Sequence, residues 1–86
     1  MINRRDDPVA WAMFLYELTD AHEHLGELIK EISSDPEYGE SELRIDLGHV
    51  YAQLNRAWRR RLKSSDFAGS EWEAGRAFPD DLEPLV

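Results

Sequence analysis

The sequence predicts an all-α fold: an antiparallel two-helix hairpin, expected to dimerise into a four-helix bundle, with an irregular C-terminal tail. Three observations carry this. Two long segments repeat apolar residues at alternating steps of four and three, a polar break containing proline separates them, and beyond residue 64 the period stops while glycines and prolines accumulate. The chain divides accordingly into a hairpin domain, 1–64, and an acidic, mostly irregular tail, 65–86.

Residues 1–7 are a polar lead-in. Asp6-Asp7-Pro8 is a helix start, because either aspartate can cap free amides and proline suits the first turn. From there the apolar positions fall at Trp11, Leu15, Leu18, Leu25, Ile29 and Ile32, with His22 the one polar member of the stripe. Phe14, Ala21 and Leu28 widen it into a face expected to meet the second helix. His22 is then expected to be buried and satisfied by Gln53 or Tyr51. Ser33-Ser34-Asp35-Pro36 ends the helix, since proline disfavours helical geometry in the residue before it.

The second helix is expected to start near Glu40-Ser41, with Leu43, Leu47, Val50, Tyr51, Leu54, Ala57, Trp58 and Leu62 on its apolar face. Arg56, Arg59, Arg60, Arg61 and Lys63 crowd its end, where cations complement the helix dipole and can pair with the acidic tail. Phe67, Trp72 and Phe78 in the tail are expected to cover the hairpin end or a partner. Val9, Ala12, Met13 and Tyr16 lie off the main stripe, so a lone hairpin would leave apolar surface wet. A homo-oligomer, a dimer or higher, is the expected remedy.

Composition narrows the function. A formal net charge of -8 argues against nucleic acid and anionic membranes as partners. The absence of cysteine rules out disulfides and thiolate metal sites. No apolar run reaches transmembrane length, and a cytoplasmic location is expected.

One pattern occurs in both helices. His24-Leu25-Gly26-Glu27-Leu28 and Asp46-Leu47-Gly48-His49-Val50 each read polar–Leu–Gly–polar–aliphatic, with another aliphatic four residues on. Glycine within a helix costs about 1 kcal/mol against alanine, so Gly26 and Gly48 are expected to admit a close neighbour. His24 and Glu27 share one flank of the first helix, and Asp46 and His49 share the matching flank of the second. Across an antiparallel hairpin these four reach one level and one side. Two imidazoles and two carboxylates make His24, Glu27, Asp46 and His49 a candidate site for a divalent metal, manganese, zinc or magnesium. Glu17, Asp20 and Glu31 lie on the same flank and read as a solvated acidic face. No triad or phosphate-loop signature is visible, so no catalytic nucleophile is assigned.

These two segments resemble the MazG-like all-α nucleoside-triphosphate pyrophosphohydrolases, whose helices carry E-E-x-G-E-L and E-L-G-D-V-L. The resemblance covers roughly residues 18–58 and places the family's magnesium-holding pairs at His24/Glu27 and Asp46/His49. Glu27 keeps the family residue and Asp46 keeps a carboxylate, whereas His24 and His49 put nitrogen where the family has oxygen. That change implies a softer metal or a scaffold whose chemistry is gone. The sequence therefore reads as a non-catalytic oligomeric helical protein on a MazG-like scaffold that binds a protein partner. The alternative is a divergent metal-dependent nucleotide pyrophosphohydrolase.

Overall fold

The computed structural model describes residues 1–86. Helix α1 spans Pro8–Ser34, α2 spans Glu40–Arg60, and a short α3 spans Glu71–Ala74, with no strand anywhere. The all-α hairpin is as the sequence predicts. No helix is long and apolar enough to cross a membrane.

Asp7 and Pro8 start α1 at the expected place, but neither aspartate caps it. Asn3 draws both carboxylates away. Its side-chain oxygen accepts the Asp6 N–H at 2.8 Å, its side-chain amide donates to Asp6 Oδ2 at 3.1 Å, and its backbone N–H donates to Asp7 Oδ2 at 3.4 Å. At the other end, Ser33 and Ser34 hydroxyls donate to the carbonyls of Ile29 and Lys30, and Asp35 turns extended ahead of Pro36. Helix α2 opens with the Glu42 carboxylate accepting the Gly39 N–H at 3.0 Å, which satisfies an amide that the helix leaves free.

The face of α1 that meets α2 is rotated to one flank of the expected one, keeping its Ala21 and Leu28 and leaving the centre of its stripe outside. The buried positions on α1 are Ala10, Glu17, Ala21 and Leu28, with His24 half-buried; on α2 they include Val50, Gln53, Ala57 and Arg60. Three alanines let the helices approach closely, and the polar members pair across the seam. Glu17 accepts hydrogen bonds from Arg56 Nε at 3.2 Å and Arg60 Nε at 3.1 Å. By contrast, the stripe of Leu15, Leu18, Leu25, Ile29 and Ile32 stays 37–56 % exposed. His22 is exposed with it, correcting the expectation of a buried imidazole. Bulky aliphatics would hold the helices apart, whereas a seam of alanines and mutually satisfied polar groups lets them close.

The tail docks on the open end of the hairpin, where α1 begins and α2 ends. Arg60 Nη1 donates to Asp66 at 2.8 Å, Lys63 to Glu71 at 2.8 Å, and Arg61 to Asp81 at 3.2 Å. The basic cluster is thus paired with acidic residues of its own chain, except Arg59, whose Nη2 donates to the Ala77 carbonyl at 3.2 Å. Phe67 lies under the Arg60 guanidinium (4.2 Å) and Trp72 under that of Arg56 (4.7 Å). Gly75 permits this contact, because a Cβ there would stand 3.0 Å from the Glu71 carbonyl and 3.4 Å from Arg56 Cγ. The lead-in closes the same end, with Ile2 buried and its N–H donating to the Arg61 carbonyl at 2.7 Å.

Candidate functional site

From two turns beyond the Glu17 ion pairs, towards the connecting loop, the seam opens into a small polar cleft of about 170 Å³. His24, Glu27, Leu28, Glu31, Asp46 and His49 line it. All four residues expected at a metal site therefore share one cavity. The reason is geometric: in an antiparallel pair, equal angular offsets from the shared seam project to one side.

Two of the four are held by neighbours. His24 Nδ1 lies 2.8 Å from Gln53 Nε2 and 3.1 Å from Gln53 Oε1. When Nδ1 carries the proton it donates to Oε1, and the Nε2 lone pair is free for a ligand; in the other tautomer Nδ1 accepts from the Gln53 amide. Asp46 Oδ2 accepts the Tyr38 hydroxyl proton at 2.6 Å. Removal from water and this hydrogen bond, with the charges of Asp46, Glu31 and Glu42, push the Tyr38 phenol up to about 12. Tyr38 therefore remains a donor to Asp46 across the neutral range. Such outer contacts orient ligating side chains in metal sites.

The donors themselves stand apart. The His24 and His49 ring centroids are 6.2 Å from one another, and no three His, Asp or Glu side chains anywhere converge closely enough to hold a metal. A cation here would need His49, Glu27 and Glu31, all exposed, to swing inward. No family model, curated protein or solved structure matches the chain.

The neighbouring acids separate into different roles. Glu31 joins the cleft, Glu17 is spent on the arginine pairs, and Asp20 does not line the cleft. Tyr38 and Gln53 were not among the residues singled out for this site. A phenol opposite an aspartate eight positions on gave no periodic signal, and Gln53 reaches His24 only because the seam is rotated from the expected one. The matched glycines are open: nothing lies within 4 Å of a Cβ built at Gly26 or Gly48. Neither glycine is required by contacts inside one hairpin.

Proposed function

We propose that this chain is a non-catalytic, oligomeric helical protein on a MazG-like scaffold, which works in the cytoplasm by binding a protein partner. The observation that carries this reading is the α1 stripe, five aliphatic side chains between 37 % and 56 % exposed along one face. Soluble chains rarely leave an ordered apolar strip of this kind uncovered. A second apolar surface suits a protein partner: the groove between α2 and the tail, lined by Tyr51, Leu54, Phe78, Pro79, Leu82 and Leu85. Sedimentation equilibrium at micromolar concentration is expected to give at least twice the 10.0 kDa chain mass. A folded monomer would refute the reading.

A divergent metal-dependent nucleotide pyrophosphohydrolase is the second reading, favoured by the gathering of His24, Glu27, Asp46 and His49 around one cleft. Imidazole and carboxylate together suit manganese or zinc better than magnesium. The bound cation would supply charge to neutralise a triphosphate, while Gln53 and Tyr38 would orient His24 and Asp46. Titration calorimetry separates the readings. Metal binding should vanish when His24 and His49 are both replaced by alanine. An identical weak response from wild type and the double variant would leave the non-catalytic reading alone.

A further inference from the structure

We propose that a second copy of this chain covers the α1 stripe, the two α1 helices running antiparallel about a two-fold axis that passes between Glu23 and His24. This rests on the oligomeric reading above and names its surface, its partner and its geometry.

The stripe is a heptad seam: Leu15, Leu18, His22, Leu25, Ile29 and Ile32, spaced three, four, three, four, three. It lies about a quarter of a turn from the face that meets α2. Reversal leaves this spacing unchanged, as a self-complementary two-fold contact requires. In the antiparallel register Leu15 meets Ile32, Leu18 meets Ile29 and His22 meets Leu25 of the other copy.

Charge favours the same face. The chain carries a net charge of -8, so two copies repel unless the contact avoids carboxylates. Of the five acidic residues of α1, Glu17 is buried in the seam against Arg56 and Arg60, and Asp20, Glu23, Glu27 and Glu31 fall on the remaining arc of the helix. The stripe and its immediate flanks hold only His22 and Lys30 as ionisable groups.

Glycine supplies an independent argument. Beside the stripe runs a column spaced by seven, Ala12, Thr19, Gly26 and Ser33. Small residues there admit another helix closely. Gly26 costs α1 about 1 kcal/mol against alanine, yet nothing in its own chain lies within 4 Å of where a Cβ would stand. A neighbouring helix from outside the chain accounts for it.

The antiparallel sense follows from the helices themselves, since Asp66, Glu71 and Asp81 of the tail are already paired with Arg60, Lys63 and Arg61. A parallel pair would oppose His22 to His22, with the helix dipoles aligned. The antiparallel pair sets His22 against Leu25 and pairs the dipoles favourably. The polar cleft then faces outward on each protomer.

The chain has no cysteine, so single-cysteine variants carry spin labels cleanly. With Ser33→Cys labelled in the full chain, antiparallel pairing predicts a separation of about 28 Å along the axis, against about 10 Å for parallel pairing. Leu25→Glu and Ile29→Glu, each at an exposed position, should weaken dimerisation by at least about 30-fold while keeping the helical circular dichroism. Monomeric wild type would overturn the oligomeric reading and this proposal together. A wild-type dimer indifferent to both substitutions would overturn the proposed surface alone, and a short Ser33 separation would overturn the antiparallel sense.

Discussion

Glu17 lies about a third of the way along α1 with its side chain 7 % exposed, facing Arg60, whose side chain is 6 % exposed. Its carboxylate also receives Arg56, and Arg60 is shared with Asp66 at the surface. Buried pairs of this kind contribute little over an apolar substitute, but removing one partner strands the other charge away from water. Glu17→Ala should therefore destabilise the protein by about 3 kcal/mol, somewhat moderated by Asp66. Urea unfolding measures this, and a loss below about 1 kcal/mol would mean that the pair is not buried in solution. The same seam explains why His24 rather than His22 is the partnered imidazole. Position 24 follows Glu17 by seven residues and shares its face, whereas position 22 belongs to the exposed stripe.

Helix limits were legible in the residues because their causes are local: Pro8, Pro36 and the polar stretch before Glu40 interrupt the chain where they stand. Which face of α1 turns to α2 was legible only in part. The helix has two periodic faces, one of bulky aliphatics and one of alanines with Glu17, His24 and Leu28; Ala21 and Leu28 were expected at the contact and are buried there, but the hydrophobic count centres it on the aliphatics. Only the matching Gln53, Ala57 and Arg60 on α2 decide between them. The candidate site was legible as a level and a side, since spacing alone sets those; its reach was not, because Tyr38 and Gln53 enter through tertiary contact. The tail invites a pH test. Asp66 is held below the usual carboxylate range by its hydrogen bond from Arg60, Glu71 by that from Lys63, and Asp81 by the Trp58 indole N–H and then Arg61. Carboxyls with lowered folded values stabilise docking above their ordinary range and lose that contribution as pH falls through the lowered values. The tail should thus stay docked from neutral pH to about 4 and release below it. The proton resonance of the Trp58 indole N–H, bonded to Asp81 at 2.9 Å, reports this directly. An unchanged resonance through that range would argue against the contact.

A two-helix layer with small residues inside and leucines outside leaves one apolar face without a cover from its own chain. If the proposed pairing supplies that cover, unfolding is coupled to dissociation and stability depends on concentration. A tenfold dilution should lower the melting temperature by about 4 °C, whereas a self-sufficient hairpin would melt at one temperature throughout. The crowding of the open end also determines what light can reveal about this molecule. Trp11 stands at the start of α1, Trp58 at the end of α2, and Trp72 in the docked tail. Every indole fluorophore is therefore at one pole, and the loop at residues 35–39 has only Tyr38. Emission will follow opening of the tail pole and remain blind to fraying at the loop, so a mismatch between emission and amide signals would locate where the hairpin yields first.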